Sequence, residues 1–210
     1  MESSVSLIKK LACSPRVDIA CGMLLALAWG AFAFSHLNAY QASGQWTYVL
    51  FFISETFTAC MFLCRSSAAT VSSDWVDWAL AILATMGPLL LHPNTTNLFP
   101  EAKYAILVGI LIQIAGMLSL NRSFGIVAAR RKIKTAGMYR FVRHPLYASY
   151  LLINTGYVLT NTSAWNIAVC SATFILLYFR LLREERHLAQ SPDYRAYMKQ
   201  VRYRVVPFIL

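Results

Sequence analysis

The chain has 210 residues, of which 58% are hydrophobic and 13% charged. A soluble domain carries about a quarter charged residues, so this composition excludes an ordinary soluble globular protein. The net charge of +10 would suit nucleic acid, but the placement of the charges, set out below, points to a membrane instead.

Four apolar stretches fill the first 120 residues: Val17–His36, Thr47–Cys64, Val76–Leu91 and Tyr104–Leu120. Each is close to the length an α-helix needs to cross about 30 Å of hydrocarbon at about 1.5 Å per residue. The first is longer than the apolar core of a signal peptide, about 7–15 residues, and is read as an uncleaved spanning helix. A fifth apolar region, Pro145–Leu182, is broken by Thr160–Ser163 and is read as a helical hairpin. The fold expected is all-α: a polytopic membrane protein of about five to six transmembrane helical segments, the last two forming a hairpin. A short amphipathic cytosolic helix follows around Asp193–Arg202, with Pro192 at its start and Pro207 at its end. The whole of 1–210 is one integral membrane domain, with a four-helix part at 1–120 and the chemistry at 121–210.

With both termini in the cytoplasm, Lys103 is the one residue of the 19 Lys and Arg that lies outside. Lys9, Lys10, Arg16 and Arg65 lie inside, with the basic residues of Arg122–Arg143 and Arg180–Arg204. This is the positive-inside bias. The charge thus reports topology and contact with anionic membrane lipids, and no nucleic-acid partner is expected. The five cysteines show no paired zinc-type spacing, so no metal is expected; those within the spans read as small apolar packing groups. Asn94-Thr95-Thr96 forms a glycosylation triplet in the loop after the third span.

One stretch stands out, Gly137–Leu152, "GMYRFVRHPLYASYLL". A glycine permits a tight turn, Arg143-His144-Pro145 follows, and Pro145 suits the first turn of a helix. Tyr147 lies one turn further on. On the returning helix Arg180 and Glu184 are four apart and share a face. Taken singly, these are interfacial anchors, an aromatic belt and a surface ion pair; their convergence on one hairpin mouth asks for more. Glu55 lies mid-span in the second apolar stretch, where an ionisable group is costly and faces the protein interior. It contacts substrate, or braces Arg65 or a polar group on another helix. Gln113 and Asn154 read as hydrogen bonds between helices.

The segment "NRSFGIVAARRKIKTAGMYRFVRHPLYASYLL" resembles the core motif of the isoprenylcysteine carboxyl methyltransferase family and its phospholipid methyltransferase relatives. "REERHLAQSPDYRAYMKQVRYRVVP" resembles that family's closing motif, with its paired glutamates, Tyr-x-x-Tyr pair and Val-Pro end. The departures are Met138 where proline is frequent, Ser191–Asp193 in place of a Phe-Gly step, and a short link from Asn121 to Gly137.

The resemblance implies S-adenosylmethionine held between the cytosolic loops and the last hairpin. A Gly-x-Gly-x-x-Gly fingerprint is missing, so a Rossmann site is unsupported. By the resemblance, Arg131, Lys132, Ile133 and Lys134 line the cofactor largely through backbone groups. Tyr139, His144, Pro145, Leu146, Tyr147 and Glu184 contact it. Arg180, as a catalytic and substrate-binding residue, points to the acceptor. Chemistry suits these roles. Arg143, also catalytic, and His144 bind the cofactor carboxylate, Glu184 takes an ammonium or ribose hydroxyl, and tyrosine faces favour a sulfonium. Glu55 is a second substrate-binding candidate. The expected acceptor is a lipophilic molecule from the bilayer, an isoprenylcysteine carboxylate in the family's namesake. The alternatives are a phospholipid or small amphiphile methylated on nitrogen or sulfur, a sterol-reductase-like enzyme using NADPH, and a non-catalytic lipid-binding scaffold.

Overall fold

The computed structural model describes residues 15–66, 70–72, 74–92, 94, 96–123, 129–130 and 133–208. Its helices follow the apolar stretches. α1 is Pro15–Ser43, α2 Trp46–Cys64, α3 Trp75–Met86, α4 Lys103–Leu120, α5 Pro145–Thr160, α6 Ala164–Leu188 and α7 Pro192–Gln200. Four of them, α1, α2, α4 and α6, are long and apolar enough to cross a membrane. α3 and α5 are shorter and pack in the same bundle, α3 on α6 and α5 on α4 and α6. The fold is that of a polytopic helical membrane protein.

Local chemistry sets the boundaries. Asp74 caps α3 by accepting from the Val76 amide at 2.9 Å, and Ser163 caps α6 by accepting from the Asn166 amide at 3.0 Å. The third apolar stretch was expected to be helical through Leu91. It is α-helical only to Met86 and tightens into a 3₁₀ turn over Gly87–Leu90, because Pro88 has no amide to continue the ladder. Between α5 and α6, Asn166 is fully buried. It accepts from the His92 amide at 3.0 Å and donates to the carbonyls of His92 and Asn161 at 2.7 Å each. One side chain thereby satisfies backbone groups of the α3–α4 and α5–α6 loops.

The packing order differs from the chain order. α1 packs on α2, α2 on α4, α4 on α5, α5 on α6, and α6 on α3. Small residues set the α4–α5 approach: a Cβ on Gly109 would lie 2.7 Å from Ile153, and one on Gly156 would lie 2.8 Å from the Ala102 carbonyl oxygen. The helices thus describe an arc with α1 and α3 at its two ends, and those ends share no extensive contact among the described residues.

Ion pairs hold one end of the bundle. Arg65, at the end of α2, pairs with Asp18 of α1 at 2.6 Å, so Glu55 does not brace it. Arg183 of α6 pairs with Asp74 and Asp77 of α3. Two two-residue strands, β1 Thr70–Val71 and β2 Ala129–Arg130, pair antiparallel and link the loops of the two halves, a small addition to the helical expectation. The tail also differs from expectation. α7 ends at Gln200, seven residues before Pro207, because the following backbone leaves the helix to bond elsewhere. The amides of Arg143 and His144 donate to the carbonyls of Tyr203 and Arg204 at 2.9 and 2.7 Å.

Candidate active site

The hairpin mouth is built from four segments: the turn before α5, the start of α5, the C-terminal end of α6, and α7 with the tail behind it. Gly137 opens the turn at φ +62°, a left-handed conformation that costs any side chain. The Met138 amide donates to Ser119 Oγ at 3.1 Å, which ties the turn to the end of α4. Tyr139 follows, buried, and its carbonyl accepts from the Tyr197 hydroxyl at 2.6 Å. Tyr139, Tyr194, Tyr197 and Val201 form a small core over which Ile133 packs. Burial pushes the phenols of Tyr139 and Tyr194 well above their ordinary values and that of Tyr197 up to about 12, so all three are neutral at ordinary pH.

Adjacent glutamates on α6 face different partners, as residues one apart on a helix must. Glu184 accepts from the Tyr147 hydroxyl at 2.7 Å. Glu185 is taken up by cations. Its Oε1 meets Arg143 Nε at 2.7 Å and His144 Nε2 at 3.2 Å, and its Oε2 meets Arg204 Nε at 2.9 Å. Arg143 also donates through Nη1 to the carbonyls of Val201 and Arg202 at 2.7 and 2.8 Å. Its side chain is 5% exposed.

Arg143 and His144 are read from the sequence as ligands of a cofactor carboxylate. In the structure Arg143 is buried and joins the start of α5 to α6 and the tail. His144 leans on the same carboxylate, with its ring edge-on to Tyr147 at 5.4 Å. The residue that organises them, Glu185, was legible in the sequence as the second of the paired glutamates but received no role.

Arg180 sits one turn before Glu184. Its guanidinium lies 5.6 Å from the centre of the Tyr147 ring and donates to Thr85 Oγ1 of α3 at 3.1 Å. Pro145 is fully buried at the first turn of α5, and Leu146 packs into a core with Phe62 and Met117. Tyr139, His144, Tyr147 and Glu184 thus gather at one mouth with Arg180 beside them. Pro145 and Leu146 anchor the mouth to the bundle. Lys134 lies in the loop leading to the turn. Arg131 and Lys132 lie outside the described residues.

Arg180 also borders a cavity of about 360 Å³ enclosed by the arc of helices. Its walls are mostly apolar, and Trp29, Glu55, Thr85, Gln113 and Tyr150 contribute polar atoms. Gln113 and Asn154, expected to link helices, line this space. Glu55 lies on it too, on α2 and outside both motifs. The structure therefore places a polar, tyrosine-rich mouth and an apolar chamber on either side of Arg180. Among the described residues no cluster of His, Cys, Asp and Glu could hold a metal ion.

Residues 102–193, from the start of α4 into α7, match the family model described as phospholipid methyltransferase. This segment is similar to that family. The matched residues take in α4, α5, α6 and the turn before α5, with Tyr139, His144, Tyr147, Arg180 and Glu184 all among them. α1–α3, and with them Trp29, Glu55 and Thr85, lie before the matched residues. A comparison with curated proteins finds no match. The similarity sides with methyl transfer against the reductase and scaffold alternatives.

Proposed function

We propose that the protein transfers a methyl group from S-adenosylmethionine to a lipophilic acceptor drawn from the bilayer, in the manner of isoprenylcysteine carboxyl O-methyltransferases. The observation that carries this reading is Arg180, placed between the Tyr147–Glu184 pair and the apolar cavity.

The residues present suit the cofactor. The Tyr194 hydroxyl is buried with no hydrogen-bond partner among the described residues. A buried, neutral donor of that kind costs stability unless something binds it. Glu184 presents a carboxylate already oriented by Tyr147, which fits an ammonium or a ribose hydroxyl. The faces of Tyr139 and Tyr147 fit a sulfonium. When bound, the cofactor supplies a methyl group on a sulfonium, which becomes a neutral thioether once the acceptor has taken the methyl.

The chain's own residues do the rest by alignment and exclusion of water. Tyr147 is fixed from two sides, by its bond to Glu184 and by the Arg180 guanidinium. Arg180 faces the cavity with a planar cation, the group best matched to a carboxylate. A carboxylate acceptor needs no deprotonation, in keeping with a mouth where Tyr139, Tyr194 and Tyr197 are held neutral. The lid formed by the Gly137 turn, α7 and the tail shields the mouth from water. The basic cytosolic segments support a cytoplasmic mouth.

Calorimetry of S-adenosylmethionine with purified protein in detergent, with Glu184→Ala alongside, tests the cofactor. Transfer of labelled methyl to an S-alkylcysteine tests the acceptor. Micromolar binding lost in the variant, with label in the acceptor, is the expected result. A folded wild type that ignores this cofactor and binds NADPH would overturn the reading.

A further inference from the structure

The cavity carries more information than its apolar walls. It is lined from all six membrane-embedded helices, and its share of about 360 Å³ is room for about a dozen water-sized groups. That space accommodates a compact head with a single chain or ring system. Ala28 and Ser35 of α1 and Leu89 of the turn after α3 both line the cavity and are exposed on the outer surface of the bundle. They mark the gap between the two ends of the arc, where an amphiphile can pass from lipid into the chamber.

Inside, Glu55 is the feature that packing does not explain. A carboxyl group at mid-span is costly, and a protein keeps one there for a use. Glu55 takes part in no ion pair among the described residues; those employ Asp18, Asp74, Asp77 and Glu185. The Trp29 indole is within hydrogen-bonding reach of it, which supplies one donor. A carboxyl group has more acceptor sites than one N–H fills. Arg180 lines the same chamber, and Tyr150 lies within electrostatic range of both. Arg180 has Glu184 one turn away on α6, on the mouth side. The chamber therefore offers two opposite recognition groups, a guanidinium and a carboxyl, flanking Tyr150.

We infer that Glu55 is a specificity-determining residue that holds a hydrogen-bond-donating group of the acceptor, an ammonium or amide N–H, while Arg180 holds its acid. This rests on the cavity being the acceptor's place. The acceptor class is then a single-chain amphiphile whose head carries both an acid and an N–H, as an S-alkylated amino acid does. Glu55 acts by positioning. Either protonation form of its carboxyl presents an oxygen that accepts from N–H, so the assignment needs no particular charge state. It also lies outside the residues matched to the family, so it can differ in proteins that share the domain and take other acceptors.

The test compares two probes, S-decylcysteine and S-decyl-3-mercaptopropionic acid, which share the acid and the chain and differ in the amine. Each is titrated into purified wild type and Glu55→Leu in the same detergent with S-adenosylhomocysteine present. Binding is read from the Trp29 contribution to fluorescence, isolated by difference against Trp29→Phe. The expected result is about tenfold tighter binding of the amine-bearing probe by wild type, lost in Glu55→Leu. Equal binding of both probes by wild type, or a preference that survives Glu55→Leu, overturns the inference. Should Glu55→Leu not fold, Glu55→Gln reports in its place, with a preference reduced severalfold expected and an unchanged preference overturning the assignment. Methyl transfer to both probes is followed in parallel. A binding contrast without transfer to either probe would sink the acceptor reading and leave Glu55 as an amine-selecting residue.

Discussion

The hydroxyl of Tyr147 donates to Glu184 at 2.7 Å, and this bond joins the two arms of the hairpin at the point where Arg180 lies over the same ring. It orients the carboxylate toward the mouth and fixes the ring between His144 and Arg180. Tyr147→Phe keeps the ring and removes the bond. Affinity for S-adenosylmethionine should fall about tenfold, the worth of a hydrogen bond to a charged group. The thermal midpoint in detergent should move by only a few degrees. Calorimetry and a thermal melt on one preparation check both.

Glu185 should matter more for folding than Glu184. Its loss leaves the buried Arg143 with carbonyl partners and no counter-charge. Removing one member of a buried pair costs about 3 kcal/mol or more. Glu185→Ala is expected to lower the melting temperature well beyond Glu184→Ala, while Glu184→Ala has the larger effect on cofactor binding. Melts and titrations of the two variants give the comparison directly.

Gly137→Ala places a side chain at φ +62° and against Ser119. The conformation alone costs about 1–2 kcal/mol. The clash adds to it at the hinge that carries Tyr139 over the mouth. Reduced cofactor affinity, with faster proteolysis of the loop around residue 137, is the expected outcome of a limited-digestion assay.

Arg180→Lys retains charge and loses the planar fork that reaches Thr85 and covers Tyr147. Turnover of an acidic acceptor should fall by tenfold or more, with cofactor affinity changed severalfold at most. Steady-state rates at saturating cofactor separate the two effects.

The buried phenols predict an alkaline limit. Tyr197 has its pKa raised to about 12 by burial, with the Glu185 charge adding to the rise against the opposing pull of Arg143. Below about pH 10 the phenol is protonated folded and unfolded, and its contribution to stability is complete. Between pH 10 and 12 the unfolded chain releases the proton and the folded one keeps it, so stability falls as pH rises. Melts across pH 8–12 should show that fall, and Tyr197→Phe should show a shallower one.

The helices and the mouth were readable from sequence because their signals are local. Apolar length gave α1, α2, α4 and the hairpin, and Arg143-His144-Pro145 with the Glu184-Glu185 pair marked the mouth. What escaped depends on contacts between distant segments. Nothing near Asp18 announces Arg65, and nothing near Arg143 announces the carbonyls of residues 201–204. The two glutamates are neighbours in sequence, and only the helix angle between them reveals that one serves the mouth and the other a clamp. Glu55 was visible as an anomaly of depth. The chamber it borders needed all six helices in place.

The backbone bonds from Arg143 and His144 to Tyr203 and Arg204 carry a consequence for biosynthesis. A nascent chain whose membrane helices have all been inserted still lacks the strap that immobilises those two residues. The mouth stays unfinished until the segment beyond α7 has left the ribosome and folded back. A bulky fusion placed directly after Arg204 would compete for the same space, whereas one placed before α1 would leave the closure undisturbed.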